Sequence, residues 1–291
     1  MTGSDRHTIR AAGGVSASIK AQGAELCSLR TAAGEEVLWQ AGPAWPKHAP
    51  VLFPIVGRLA DDRLRQAGQD YRLSKHGFAR DRRFRWLSRE DAACALVLED
   101  DAETRAVFPF AFRLEIHWQV SGDTLSTRYH IANPGAVPLF CALGAHPAFR
   151  WPLRDGVAKT DHSITFGADE PGALRRVQPD GLIGPTPKPS PLRGRVLALD
   201  PALFADDALV WDPVASRSLR YSAPGCPVVE MSWEGFPQLG IWSKPADFVC
   251  LEPWHGTADP AGFTGAFRDK PGLMRIEPGA GRDLSIRVQA A

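Results

Sequence analysis

The chain has 291 residues, with 34 Lys and Arg against 33 Asp and Glu, which gives a formal net charge of +1. This balance argues against a nucleic-acid-binding protein, because neutralising phosphates requires a basic excess or a clustered basic face. The chain also contains 25 Pro and 27 Gly, an abundance that leaves little room for long helices and favours a turn-rich β protein.

The five cysteines are an odd number and include no CxxC spacing: Cys27, Cys94, Cys141, Cys226 and Cys250. This pattern predicts neither a disulfide framework nor a zinc motif. No apolar stretch approaches 18 residues, and the N-terminal segment is polar and lacks the apolar core of a signal peptide. We therefore expect a cytoplasmic protein with no membrane partner.

Short segments with period-two alternation or apolar runs predict β-strands along the whole chain. In chain order, the predicted strands are residues 15–20, 25–30, 71–73, 83–87, 95–99, 112–120, 125–131, 139–145, 163–166, 209–211, 229–233, 248–251 and 284–288. The two longest alternating segments flank residues 121–124 and predict a hairpin. Only short helical turns are predicted, at 101–107 and 201–205.

Strands of this kind, with one apolar and one polar face, form antiparallel sheets that are buried on one side. Two such sheets packed face to face give an all-β antiparallel sandwich, which is the fold that we predict. Residues 169–195 are rich in Pro, Gly and Arg and form either a domain linker or a long connection. Because the strand signals on both sides are alike, we expect one domain over residues 1–291.

Two arginine- and histidine-containing segments break this strand pattern. Arg58 follows an apolar run and a glycine, so it is either an ordinary surface arginine or a guanidinium fork for hydroxyl or carboxylate oxygens. His76 precedes a glycine and a phenylalanine, which combines a hydrogen-bonding ring, an unobstructed backbone and an aromatic surface. On its own, this motif fits a solvated loop histidine equally well.

Two further segments place polar residues at predicted strand ends. His146 follows an apolar strand and precedes a proline; it is either a packed structural residue or a proton donor with an ordinary pKa of about 6.5. Glu252 follows an apolar run, where a carboxylate is unfavourable unless it is paired, exposed in a cleft or functional. Partial burial would raise its pKa and make it a better base. Trp254 offers a flat face of the kind that stacks on sugar rings.

A metal site is the alternative use of these side chains. His76, His146, His255 and Glu252 are all zinc-ligand types, but no HExxH motif or closely spaced histidine pair supports such a site. The sequence also lacks a GxSxG nucleophile motif and a glycine-rich phosphate loop before a helix. We therefore expect neither a metal nor a cofactor.

Taken together and in this order, the four segments resemble the aldose 1-epimerase (galactose mutarotase-like) family, in particular its LacX-like branch. The resembling motifs are LFPIVGRL at 52–59, HGFAR at 76–80, GAHPAF at 144–149 and LEPWHG at 251–256. The resemblance implies a β-supersandwich with a sugar-binding cleft. It also implies interconversion of the α and β anomers of an aldose or aldose phosphate by acid–base ring opening.

The resemblance assigns roles to the residues of these motifs. Glu252 corresponds to the base that takes the proton from the C1 hydroxyl, and His146 to the acid that protonates the ring oxygen. His76 and Arg58 correspond to residues that bind sugar oxygens. Asp207 corresponds to a substrate-binding aspartate, and its neighbour Asp206 remains an alternative.

Some features limit which sugar is implied. The residues that follow His146 in its motif are Pro-Ala-Phe, unlike those of galactose-specific members, so a galactose preference does not follow. A phosphorylated hexose would require basic residues at the cleft rim, for which the sequence offers Lys47, Lys75, Arg80 and Arg82.

Three functions therefore stand side by side for a protein whose partner is a small-molecule sugar. The first is a mutarotase for a free aldose or a hexose 6-phosphate. The second is a non-catalytic sugar-binding or sensor protein on the same scaffold, which would need no paired acid and base. The third is a glycoside-processing enzyme that uses Glu252 with Asp206 or Asp207 as its carboxylate pair. The sequence leaves both a monomer and a homodimer open.

Overall fold

The computed structural model describes residues 5–291, and nearly all regular structure in this range is β-strand. The α-helix described there is a single turn, α1 (Ala102–Arg105), whose first turn is capped by Asp101. The other helical turns are 3₁₀ segments at Ala60–Asp62, Ala79–Asp81, Lys159–Asp161, Pro201–Phe204 and Phe267–Asp269. None of these helices has the length and apolar character that crossing a bilayer needs. The five cysteines have free thiols.

The largest sheet is antiparallel and has nine strands. In spatial order they are β16 (Val196–Ala198), β14 (Ser163–Phe166), β18 (Ser218–Ser222), β19 (Val229–Glu234), β23 (Gly281–Ala290), β10 (Thr124–Ala132), β9 (Arg113–Ser121), β8 (Ala93–Glu99) and β7 (Arg85–Arg89). The predicted hairpin is confirmed, since β9 and β10 pair in register from Ser121 opposite Thr124.

A second antiparallel sheet has seven strands and carries the cleft described below. In spatial order they are β15 (Arg175–Arg176), β17 (Leu209–Trp211), β20 (Gln238–Trp242), β21 (Phe248–His255), β12 (Leu143–Ala145) and β4 (Val51–Leu52). The seventh strand, β13 (Ala148–Arg150), also pairs with β21.

Three smaller groups of strands complete the described structure. They are β1 (Arg6–Arg10) with β2 (Ser16–Lys20) and β3 (Glu25–Arg30), β5 (Arg63–Gln66) with β6 (Gln69–Arg72), and β11 (Leu139–Cys141) with β22 (Met274–Ile276).

The two large sheets share one hydrophobic core, as the predicted sandwich requires. Alternate residues of both sheets belong to a single buried cluster, including Leu114, Ile116, Met231, Ile286, Leu209, Trp211, Leu239, Ile241, Val249 and Leu251. Burying one such side chain contributes about 1.5–3 kcal/mol. This core therefore fixes which face of each strand points inward.

The opposite face of the seven-stranded sheet carries polar and aromatic side chains. On β21, Val249 and Leu251 belong to the sandwich core, whereas Cys250 and Trp254 belong to separate clusters on the other face. Because successive side chains of a strand alternate between faces, Glu252 shares the face of Cys250 and Trp254.

Several predicted strands are shifted by one or two residues, as β6 and β7 are, and two larger differences affect the cleft. The predicted strand at 139–145 is wrong as one element: β11 and β12 pair with strands of different sheets, and the Ala142 amide between them donates to the Pro54 carbonyl at 2.8 Å. The predicted strand at 248–251 is too short, because β21 continues to His255. Glu252 therefore lies inside a central strand and not at a strand end.

Candidate active site

His146 and Glu252 meet because of the register of two short strands. Both β12 and β13 pair with β21, and the two residues between them, His146 and Pro147, lie opposite the middle of that strand. His146 Nε2 lies 3.3 Å from Glu252 Oε2. The sequence predicted both residues separately, and the pairing of three strands brings them into contact.

Burial governs the protonation of this pair. Glu252 is 1% and His146 8% exposed. Burial raises the pKa of Glu252 well above its usual value, although the Trp254 indole N–H, which donates to Glu252 Oε2 at 3.2 Å, acts in the opposite direction. Burial also lowers the pKa of His146 to about 3. Burial in the cleft therefore favours the uncharged form of each group, with one proton held by the pair as a unit.

Aromatic rings surround His146. The Trp45 ring stacks on it at 5.0 Å between ring centroids, and the Trp242 ring meets it edge-on at 5.7 Å. Trp254 lines the same cleft from β21. Sequence reasoning missed Trp45, although a tryptophan within the proline-rich segment 43–50 was a usable signal for an aromatic wall. These rings provide flat apolar faces of the kind that pack on sugar rings.

His76 lies in the cleft because its loop is held by glycines. The Gly57 amide donates to His76 Nδ1 at 3.1 Å, and the His76 amide donates to the Gly57 carbonyl at 2.7 Å. The next residue, Gly77, has φ +68° and lies so close to Phe53 that a Cβ would be 2.3 Å from its carbonyl oxygen, so glycine is required there. Since Nδ1 accepts a hydrogen bond, the neutral ring carries its proton on Nε2.

The charge state of His76 is also set by burial. Its side chain is buried, and burial, followed by the nearby His146, lowers its pKa well below the usual value. The centroids of the two histidine rings are 5.9 Å apart. His76 is therefore a neutral hydrogen-bond donor next to the His146–Glu252 pair.

Of the two aspartates considered from the sequence, Asp207 lines the cleft, whereas Asp206 is exposed and does not belong to the lining. Asp207 has φ +63°, and its Oδ1 accepts a hydrogen bond from the Ala208 amide at 2.7 Å. This turn directs the chain from the Pro201–Phe204 segment into β17.

Arg58 lies outside the cleft lining. Its Nε and Nη2 donate to the two carboxylate oxygens of Asp62 at 2.7 and 2.8 Å, and its Nη1 donates to the Asp180 carbonyl at 3.2 Å. The Asp62 carboxylate raises the pKa of Arg58 further. The predicted contact between Arg58 and sugar oxygens would require this bidentate pair to open.

The cleft has a volume of about 190 Å³. One of its walls comes from the connection at 169–195, which contributes Val177, Gly181 and Ile183. Sequence reasoning missed this wall, because nothing in a Pro- and Gly-rich segment shows where it folds back. Lys75 and Arg80 line the cleft on the side of His76.

Two side chains of the cleft and the buried Cys250 offer potential metal ligands. One ligand atom each of His146, Cys250 and Glu252 lies within 4.8 Å of the others. Burial raises the pKa of the Cys250 thiol well above its usual value, which disfavours the thiolate that a metal would need. Of the four candidates from the sequence, His146 and Glu252 belong to this group, and His76 and His255 do not. His255 Nδ1 contacts the Gly235 carbonyl at 2.9 Å instead.

The two-sheet β-sandwich of this chain is similar to the fold of galactose mutarotase-like proteins. Two solved structures match it with a TM-score of 0.91 and 29% identity each. One is a galactose mutarotase related enzyme from Lactobacillus acidophilus, and the match covers 98% of this chain and 97% of that one. The other is a galactose mutarotase-like protein from Lactobacillus casei ATCC 334, with 98% and 100% covered.

The sequence comparisons identify the family. The aldose 1-epimerase family profile matches residues 5–264. The chromosomal LacX protein of Lactococcus lactis subsp. lactis is 30% identical over 276 residues, which cover 89% of this chain and 91% of that protein. The chain therefore belongs to the aldose 1-epimerase family.

Proposed function

We propose that this protein is an aldose 1-epimerase that interconverts the α and β anomers of an aldose. The observation that carries the proposal is the His146–Glu252 contact of 3.3 Å in a cleft walled by tryptophans. Mutarotation needs one acid and one base at neighbouring oxygens of the same carbon, C1. Two adjacent groups that share one proton meet this requirement whichever of them holds it.

The reaction moves two protons and leaves the pair unchanged overall. Once the shared proton has passed from Glu252 to His146 across their 3.3 Å contact, Glu252 takes the proton from the C1 hydroxyl while His146 protonates the ring oxygen, so the C1–O5 bond breaks and C1 becomes an aldehyde. Rotation about C1–C2 presents the other face of the carbonyl, and reclosure reverses both transfers. Each general acid or base contributes roughly 10²- to 10⁴-fold to such a reaction.

The remaining cleft residues hold the sugar. His76 Nε2–H donates to a sugar oxygen near the ring oxygen, where negative charge would otherwise develop. Asp207 accepts from a hydroxyl, and Trp254 provides an apolar face and donates its indole N–H to Glu252. That hydrogen bond favours the ionised form of Glu252, the form a base needs.

A sugar-binding protein without activity is separated from an epimerase by two measurements on the same sample. Polarimetry of freshly dissolved α-glucose, α-galactose and other aldoses should show faster anomerisation with the protein than without it. Calorimetric titration of the same sugars reports binding. Binding without faster anomerisation for any aldose would refute the proposal in favour of a binding protein.

A glycoside-processing enzyme is supported less well. The short contact of Glu252 is with a histidine and not with Asp206 or Asp207. Release of reducing ends from an oligosaccharide would support that rival function.

One observation favours an aldose with an anionic substituent, such as a hexose 6-phosphate, as a second candidate substrate. Lys75 and Arg80 line the cleft, and the Lys75 ammonium makes no hydrogen bond or ion pair with residues 5–291. The other rim candidates are engaged elsewhere: Lys47 pairs with Asp81 at 3.4 Å, and Arg82 pairs with Glu103 at 2.5 Å.

The rim cations give a testable prediction. Because a phosphate gains a charge-assisted hydrogen bond from Lys75, Lys75→Gln should raise the KM for glucose 6-phosphate by roughly 10-fold and leave that for glucose within about 2-fold. Lys47→Gln, which removes a cation outside the lining, is the matched control and should change neither KM. A phosphate contact at Lys75 would be excluded if Lys75→Gln and Lys47→Gln changed the KM for glucose 6-phosphate equally. It would also be excluded if Lys75→Gln changed the KM for both sugars equally.

A further inference from the structure

A buried ion pair lies behind the cleft, among residues that the proposed function does not use. Lys270 Nζ is 3.0 Å from Asp259 Oδ1, and the two side chains are 0% and 2% exposed. Neither atom has a hydrogen-bond partner elsewhere in residues 5–291. A buried pair adds little net stability, because desolvation of both charges offsets their attraction. Its presence therefore calls for an explanation other than stability.

Asp259 joins several segments that form the cleft. Its Oδ2 accepts from the Ala60 amide at 2.8 Å, and its own amide donates to the Arg58 carbonyl at 2.8 Å. Its carbonyl accepts from the Ile183 amide at 2.9 Å. Ile183 and Ala258, the residue before Asp259, both line the cleft. One aspartate thus ties together three parts of the cleft wall.

Gly57 connects the segment held by Asp259 to His76. Gly57 directly precedes Arg58 and makes two hydrogen bonds with His76, one of them to the ring Nδ1. Gly57 also lies so close to Ala258 that a Cβ on it would be 2.5 Å from the Ala258 Cβ. A shift of Asp259 therefore moves Gly57, and with it the ring of His76.

We propose that Asp259 and Lys270 are positioning residues: Lys270 orients the Asp259 carboxylate, Asp259 holds Gly57, and Gly57 holds His76 towards the sugar. The proposal rests on the proposed function, since His76 has a substrate to contact only if the cleft takes a sugar. An apolar pair of the same volume would fill the space but would leave the Ala60 amide without its acceptor.

Two variants and a control test this chain of contacts. Lys270→Met keeps most of the side-chain volume and leaves the Asp259 carboxylate unpaired. Combining it with Asp259→Asn removes the unpaired charge but keeps an oxygen acceptor for the Ala60 amide. Asn133→Leu is the control for general loss of stability, because Asn133 is 1% exposed, donates to two carbonyls and lies outside the cleft lining.

These variants should change kcat/KM through the position of the His76 ring. Since misplacing a binding group by about 1 Å can lower the rate about 100-fold, Lys270→Met should lower kcat/KM about 10- to 100-fold. When Lys270→Met is added to His76→Asn, kcat/KM should fall by no more than about 3-fold below that of His76→Asn alone, because both changes act through one group. The double variant with Asp259→Asn should recover part of the loss, and Asn133→Leu should stay within about 3-fold of wild type while folded.

Amide hydrogen exchange reports the same contacts without an activity assay. In Lys270→Met, the amides of Gly57 and Ala60 should exchange at least about 10-fold faster, with those of β23 unchanged. If the wild type anomerises no sugar, the proposed function fails and the exchange result alone decides on positioning. The proposal would be overturned if the Gly57 amide kept its wild-type exchange rate in Lys270→Met. It would also be overturned if the losses in kcat/KM from Lys270→Met and His76→Asn multiplied in full, or if neither Lys270→Met nor the double variant folded.

Discussion

Glu252 is the residue on which stability and proposed chemistry conflict most directly. It is 1% exposed inside a central strand, and burial raises its pKa. The hydrogen bond from the Trp254 indole and the positive charge of Lys75 offset the effect of burial on this pKa only in part. A carboxylate in this place is unfavourable for folding, and the role of base that we propose for it gives a functional reason for its presence.

The conflict predicts a pH-dependent gain in stability for Glu252→Gln. Because the folded-state pKa lies above the unfolded value, Glu252 stabilises the fold at low pH and loses that contribution as pH rises through the folded pKa. Glu252→Gln should therefore be more stable than wild type by about 1–3 kcal/mol at pH 8, with little difference near pH 4. Urea denaturation at both pH values checks this, and equal stabilities at pH 8 would contradict it.

At the scale of the element, two glycines on neighbouring strands make the slot for the Trp254 ring. A Cβ on Gly240 of β20 would lie 2.5 Å from Trp254 Cζ2, and one on Gly144 of β12 would lie 2.8 Å from its Cδ1. Glycine normally weakens a strand interior. At these two positions it leaves the space that the Trp254 ring occupies. The ring in turn directs its N–H to Glu252.

Filling this slot should move the ring. Gly240→Ala should destabilise the fold by about 1–3 kcal/mol, as overpacking does, and lower kcat/KM by roughly 10-fold as the Trp254 ring and its hydrogen bond shift. Thermal denaturation and mutarotation kinetics measure the two effects. Gly172→Ala is the matched control, since a Cβ there meets nothing within 4 Å and should change stability by less than about 0.5 kcal/mol. Normal activity of folded Gly240→Ala would rule out this role for the slot.

The strands also show which parts of the structure can be predicted from the sequence alone. Alternation along 112–120 and 125–131 predicted the hairpin, because a period of two is a local property of the sequence. The contact between His146 and Glu252 depends instead on the register of β12 and β13 against β21, and their strands are distant in sequence. The same limit explains why Val177 was missed and why Arg58 lies with Asp62 outside the cleft.

At the scale of the whole molecule, neutral histidines buried in the cleft link folding to pH. Burial lowers the pKa of His76 and His146 below their unfolded value of about 6.5. Their contribution to stability is therefore present above that value and is lost as pH falls towards the folded pKa. The cleft makes the fold sensitive to acid.

His76→Asn should reduce this sensitivity. Each buried neutral histidine adds a slope of up to about 1.4 kcal/mol per pH unit below pH 6.5, so the variant should lose stability less steeply between pH 6 and pH 5 by up to that amount. Denaturant melts at half-unit pH steps give the slopes. Parallel slopes for wild type and variant would show that His76 is charged in the folded protein.

In the proposed reaction, His146 and Glu252 together interconvert the anomers of an aldose. Exchange NMR on an equilibrium mixture of aldose anomers measures the catalysed rate directly, with the spontaneous rate subtracted. Wild type should accelerate exchange, Glu252→Gln and His146→Asn should each lower the catalysed rate roughly 10²- to 10⁴-fold, and Asp206→Asn, at an exposed neighbour of the cleft, should retain it. No acceleration by wild type with any aldose or aldose phosphate, or full activity of Glu252→Gln, would contradict the claim.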